Sequence, residues 1–149
     1  MGWVVSSLVF VFGTPKEGFP NFGSNVGVRI SGHFETVNRF PLYLVGERYS
    51  PWMVNAPGTG EHVIGQVFDV DATALQKMDT LERVSEEDGY QRILIKVRPC
   101  AAEQSPEREV FAYLKHPRHL VKAVIMSGPL KEYSLAHAAS YRSRSTPRN

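Results

Sequence analysis

The 149-residue chain is predicted to fold as a single α+β domain, built on a mixed, mainly antiparallel, barrel-like β-sheet with a few short helices. Three observations predict this. The length, with 42% hydrophobic and 21% charged residues, fits one globular unit with a sizeable core. Short apolar runs rich in β-branched and aromatic residues recur along most of the chain, whereas only two stretches keep helical spacing. Strands and helices do not alternate regularly, as a doubly wound parallel sheet would require.

Taken in order, Leu8 to Phe12 is apolar and without charge, and reads as a strand buried on both faces. It breaks abruptly at Gly13, Thr14 and Pro15, and Gly18 ends the turn. Such a turn either exposes backbone N–H groups that hold anions or polarised carbonyls, or serves only to reverse the chain. Phe19 to Arg29 reads as loop with at most one helical turn, and 32–36 and Leu42 to Val45 as short strands. The stretch 46–60, rich in Gly and Pro, is expected to lack regular structure. Its Trp52 either lines a cavity or plugs the core.

Val63 to Val70 is a strand in which Val63, Gly65, Val67 and Asp69 share one face and Ile64, Gln66, Phe68 and Val70 the other. Asp71 then stands as an N-cap before a helix whose stripe is Ala74, Leu75, Met78 and Leu81. Glu82 continues that stripe, seven positions from Leu75 and four from Met78. A carboxylate there is paired, hydrogen-bonded or beside a cavity, unless the helix frays and the side chain turns outward to Arg83 or Arg92. Glu86, Glu87 and Asp88 are expected to face water. Strands follow at Tyr90 to Val97 and Glu109 to Leu114, separated by a polar loop. Pro117 is expected to open a helix carrying Leu120, Val121, Val124 and Ile125 on one side, stopped by Gly128 and Pro129.

Several functions are set aside on composition. The apolar stretch near the N-terminus is too short to cross a membrane and no basic residue precedes it, so neither a span nor a secretory signal is expected. The single cysteine, Cys100, allows no internal disulfide, and a cytoplasmic setting is the default. His116 and His119 are the nearest approach to metal-type spacing, and no metal site is expected. Charge is uneven: Met1 to Tyr113 holds ten basic and fourteen acidic residues, Leu114 onward seven basic and one acidic. The domain is expected over 1–139, with a basic, flexible tail over 140–149 that is too short and motif-free to make nucleic acid the expected partner.

Against that background, Val9 to Asn21 resembles the opening of the gamma-glutamylcyclotransferases, and of the gamma-glutamylamine cyclotransferases in particular, a Tyr-Gly-Thr-Leu-Lys-x-Gly-x-x-Asn pattern after a buried strand. The likeness continues through Phe40, Pro41 and Leu42, Gly46 and Glu47, Pro51 and Trp52, the turn from Pro57 to Gly60, the strand from Gly65 to Asp71, Leu81 and Glu82, and Tyr90 to Arg92. The resemblance implies a small α+β fold around a closed or nearly closed sheet. It implies an enzyme that converts a γ-glutamyl amine, such as γ-glutamyl-ε-lysine, to 5-oxoproline and free amine, with no metal or organic cofactor. Phe12, Gly13, Thr14 and Pro15 fall on its substrate-binding loop and Glu82 on its proton acceptor; Trp52, Tyr90 and Tyr113 are further candidates to line the pocket. A monomer acting on a small molecule is expected. Two departures stand out: Phe12 replaces the usual Tyr, and Pro15 the usual Leu, which removes a backbone N–H from the loop. A non-catalytic protein binding a γ-glutamyl or other carboxylate ligand is the alternative, and a basic-tailed interaction module a weaker third.

Overall fold

Alternation in the first strand sets up the whole architecture. In the computed structural model, which describes residues 6–19, 27–101 and 106–142, β1 (Ser6–Val11) sends Phe10, and Phe12 just beyond it, into one apolar cluster, and Val9 and Val11 into another. The strand is therefore buried on both faces, as its sequence demands. It is flanked on both edges as well: antiparallel to β6 (Ile64–Asp71) and parallel to β8 (Arg108–Leu114). The remaining strands are β2 (Val28–Arg29), β3 (Phe34–Thr36) and β7 (Gln91–Pro99). The order β1, β8, β7, β3, β6 returns to β1 and closes a five-stranded barrel, with β2 added on the outer length of β6. Only the β1–β8 pair is parallel among these pairings.

Inside the barrel lie Phe10, Phe34, Val67, Val97, Val110 and Leu114. Outside it, Val9, Val11, Phe68 and Val70 meet α1 (Ala72–Leu81) through Ala74 and Met78. The two faces expected for β6 are thus the two sides of the barrel wall. Asp71 caps α1, its Oδ1 accepting from the Ala74 amide at 2.7 Å. Covering Met78 contributes about 2 kcal/mol to the docking of this helix. Leu81 does not complete the stripe: it is 55% exposed, because the helix ends there and the chain leaves the barrel surface.

A second sheet, β5–β4–β9, packs beside the barrel, made of β4 (Leu42–Val45), β5 (Ser50–Met53) and β9 (Ile125–Ser127). Three expectations are corrected here. The Gly- and Pro-rich stretch 46–60 does contain regular structure, since Ser50 to Met53 pairs residue for residue with Leu42 to Val45. Pro51 is tolerated because β5 is an edge strand. Pro117–Lys122 is a short 3-10 helix, not a longer helix reaching Ile125; Val121 is 84% exposed and Ile125 instead enters β9. Finally, Val28 and Arg29, expected as loop, pair with Asp69 and Phe68. The segment 20–26 of that loop lies outside the described residues, as does the basic tail from 143 onward. Before that point Arg142 is tied to the body, its amide donating to the Arg48 carbonyl at 2.9 Å. Among the described residues no helix is long and apolar enough to cross a membrane.

Candidate functional site

Glu82 sits where α1 gives way to a tight connection. Its amide donates to the Met78 carbonyl at 2.9 Å, making it the C-cap, and it is half-buried. Arg83 follows in a left-handed conformation (φ 56°), and residues 83–89 fold back on themselves. Gly89 makes that possible: a Cβ there would lie 1.7 Å from the Arg83 carbonyl oxygen. The tightness of this turn brings the Tyr90 amide to the Glu82 carbonyl at 3.0 Å. Of the basic neighbours suggested for Glu82, Arg83 pairs with Asp88 at 2.8 Å and Arg92 with Asp79 at 2.6 Å.

The turn after β1 packs against β5 and β6. Phe12 is buried in the barrel core beside Phe10, their ring centroids 6.3 Å apart. Gly13 and Thr14 are buried and Pro15 half-buried. Gly13 lies so close to β5 that a Cβ would come within 2.9 Å of Pro51 Cγ. Two amides of the turn are used within the protein: Lys16 donates to the Gly13 carbonyl at 3.1 Å, and Glu17 to Gln66 Oε1 at 2.8 Å. Lys16 itself is only 4% exposed; its ammonium donates to the Tyr133 carbonyl and lies 4.2 Å from the Phe19 ring centroid. Burial lowers its pKa to about 8, against the attraction of Glu132.

Tyr90 joins the two halves. Its amide donates to the Glu82 carbonyl, and its hydroxyl donates to the carbonyl of Pro51, the residue whose ring packs against Gly13, at 3.1 Å. Trp52 and Tyr90 also line a cavity of about 280 Å³ with Arg48, Asp88, Lys115, His119, Lys122 and Ala123. Trp52 is therefore half-buried at a cavity wall and is not a core plug. Tyr113 does not line that cavity; it is buried under α1, and its hydroxyl donates to Asp79 Oδ1 at 2.7 Å. Burial, the Asp79 hydrogen bond and the Asp79 charge all raise the phenol above its ordinary range, and Glu82 adds to this.

Two residues of this neighbourhood were not singled out from sequence. Asp79 holds both Tyr113 and Arg92, and its signal was its place four residues after Leu75, at the edge of the apolar stripe that Glu82 continues. Lys115 is 3% exposed, and strand alternation after Tyr113 puts it on the same side of β8 as that residue. Glu86, Glu87 and Asp88 are exposed, as expected. Among the described residues, no group of three or more His, Cys, Asp or Glu side chains is arranged to hold a metal ion.

Comparison with known proteins identifies the family. A family model described as gamma-glutamyl cyclotransferase, AIG2-like, matches residues 9–133. The chain is 36% identical over 114 residues to gamma-glutamylaminecyclotransferase B of Danio rerio, covering 72% of this chain and 59% of that protein. It is 34% identical over 110 residues to the gamma-glutamylaminecyclotransferase of Homo sapiens, covering 67% of this chain and 71% of that one. It thus spans less than two thirds of the Danio rerio relative's length. The crystal structure of an AIG2-like protein from Mus musculus superimposes with a TM-score of 0.77 at 27% identity, over 95% of this chain and 99% of that one. With the closed barrel, the turn after β1 and the acid at the end of α1 all lying within the matched span, the chain belongs to the gamma-glutamyl cyclotransferase, AIG2-like, family.

Proposed function

We propose that the protein is a cyclotransferase that converts a γ-glutamyl amine to 5-oxoproline and free amine, with Glu82 as general acid and base and Phe12 to Pro15 as the loop that holds the glutamyl group. The observation that carries this reading is the double engagement of Tyr90. One residue is bonded through its amide to Glu82 and through its hydroxyl to Pro51, against which Gly13 packs. The backbone at Glu82 and the strand against which the loop packs are thus tied through one residue, which supports a site shared between them.

The chemistry follows from the functional groups. A free α-amine titrates near ~8, so at neutral pH the substrate's amine is mostly protonated and not nucleophilic. Glu82 takes that proton, and the freed nitrogen attacks the γ-carbonyl carbon of the same molecule, closing a five-membered ring. The charge that develops on the carbonyl oxygen is met by amides at Gly13 and Thr14, the positions ahead of Pro15, which has none to offer. Glu82 then gives its proton to the departing nitrogen as the bond from the γ-carbon to that nitrogen breaks, and the second proton, shed by the ring nitrogen as it becomes an amide, passes to the departing amine, which leaves as an ammonium. Ring closure within one bound molecule is accelerated by holding its two ends together.

Incubation with γ-glutamyl-ε-lysine and other γ-glutamyl amines, followed by detection of 5-oxoproline, tests this. Glu82→Gln is expected to lower turnover by about a hundred- to ten-thousand-fold while leaving the fold intact. Undiminished turnover in that variant sinks the assignment of Glu82. The specific observation favouring a second reading, a binder without turnover, is Pro15, which removes a donor from the loop. Saturable binding with no product would establish it.

A further inference from the structure

The turn after β1 is held from both ends of the sequence. Lys16 closes the segment that carries Gly13, Thr14 and Pro15, its amide donating to the Gly13 carbonyl at 3.1 Å. Its side chain runs inward: the residue is 4% exposed, and its ammonium donates to the carbonyl of Tyr133, 117 positions away. Two rings flank that bond. The ammonium lies 4.2 Å from the Phe19 ring centroid and 6.0 Å from that of Tyr133, and the rings are 5.9 Å from each other.

Tyr133 is a firm anchor for that bond. It is fully buried, its ring stacks on His137 at 6.0 Å, and its neighbours are fixed on either side. Before it, Glu132 bridges to Ile64 of β6, whose amide donates to the Lys131 carbonyl at 2.8 Å. After it, Ser134 caps α2 (Leu135–Ala138), and His137 Nδ1 accepts from the Ser134 amide at 3.0 Å. The turn docks on the same strand, through the Glu17 amide and Gln66 Oε1 at 2.8 Å. Stability does not account for a charge in this place. Burial lowers the Lys16 pKa to about 8, Glu132 opposing the shift and Arg29 adding to it, so at neutral pH the protonated side chain favours the unfolded chain. An apolar side chain of similar length would fill the space without that cost. It could not, however, hold a carbonyl.

We infer that Lys16 is a positioning residue: its ammonium fastens the glutamyl loop to the C-terminal segment at Tyr133, and so fixes the backbone from Gly13 to Glu17 in the shape the reaction uses. Enclosed as it is, Lys16 acts through the loop and not on the substrate. The inference rests on the cyclotransferase reading for the loop's role, while the fastening itself is measurable without turnover.

The test compares the full wild-type chain with Lys16→Met, which keeps the apolar stem and removes the charge and the donor. Amide hydrogen exchange is followed at Lys16 and Glu17, with the amides of β6 as reference. Loss of a charge-assisted hydrogen bond is expected to speed exchange at Lys16 and Glu17 about ten- to a hundredfold relative to β6. Formation of 5-oxoproline from γ-glutamyl-ε-lysine is expected to fall by about tenfold or more in kcat/KM. Phe19→Leu takes one ring from the ammonium and leaves the bonding atoms in place. It is expected to shift both readouts the same way by a smaller factor, and it decides the question if Lys16→Met does not fold. Exchange that speeds equally at the turn and along β6 makes Lys16 a general stabiliser and overturns the inference. An unchanged turn overturns it too, as does a loosened turn with full turnover. Absence of 5-oxoproline from the wild-type reaction removes the cyclotransferase reading, and the exchange measurement then still decides whether Lys16 fastens the turn.

Discussion

Replacing Gly89 with Ala tests whether the 83–89 turn holds Glu82 and Tyr90 together. The added methyl would lie 1.7 Å from the Arg83 carbonyl oxygen and 2.5 Å from its carbon. Both are backbone atoms, so no side-chain rotation relieves the overlap and the turn must open by more than an ångström. Opening it puts two hydrogen bonds at risk, the Tyr90 amide to Glu82 at 3.0 Å and the Tyr90 hydroxyl to Pro51 at 3.1 Å. Each contributes about 0.5 to 1.5 kcal/mol. Overpacking strain adds about 1 to 3 kcal/mol, for a total of about 2 to 6 kcal/mol. Urea unfolding measures this directly, and hydrogen exchange at the Tyr90 amide reports whether the local bond is the one lost. If Gly89→Ala unfolds within about 0.5 kcal/mol of wild type with that amide still protected, the turn does not have the role assigned to it.

Three further substitutions probe other contacts. Asp71→Ala removes the acceptor for the Ala74 amide and is expected to cost about 1 kcal/mol by chemical denaturation, with no change in the barrel's spectroscopic signature. Lys16 carries a folded-state pKa of about 8, below the ordinary lysine value of 10.5, so from pH 8 to 10.5 the unfolded chain binds more protons than the folded one. Wild type is therefore expected to gain stability relative to Lys16→Met as pH rises through that window, and the difference is expected to be flat below it; urea midpoints at several pH values check the sign. Asp79→Ala removes the partner of the Tyr113 hydroxyl, and ultraviolet titration is expected to show that phenol moving down while staying above the ordinary range, because burial is the larger cause.

Where local pattern and tertiary environment agreed, the sequence was a sufficient guide. Val63 to Val70 alternates because the barrel wall has an apolar interior and a helix outside, and Asp71 caps because the first amides of α1 need an acceptor. Elsewhere the environment overrode the pattern. Pro51 argued against a strand, but an edge position asks no amide of it on its free side. Leu120 to Ile125 keeps helical spacing, yet pairing with β4 draws Ile125 into a strand and leaves Val121 and Val124 in water. Glu82 was legible as an acid continuing an apolar stripe, and the resemblance gave it a role. Its actual position as a C-cap was not legible, because it depends on the Arg83 and Gly89 backbone conformations. Lys115 was hidden for a different reason: nothing in a lysine after a strand reveals that two aromatic rings from distant segments will enclose it.

The pairing of Val9 with Phe111 reaches across about a hundred residues of intervening chain. A nascent polypeptide carrying β1 therefore has no complete set of neighbours until β8 has been synthesised, and the loop that follows β1 stays unformed until then. Such a topology favours slow, late and cooperative acquisition of structure over piecemeal growth from the N-terminus. Premature truncation anywhere before β8 would leave an apolar strand without its second companion, and so a fragment prone to self-association in place of a smaller working protein.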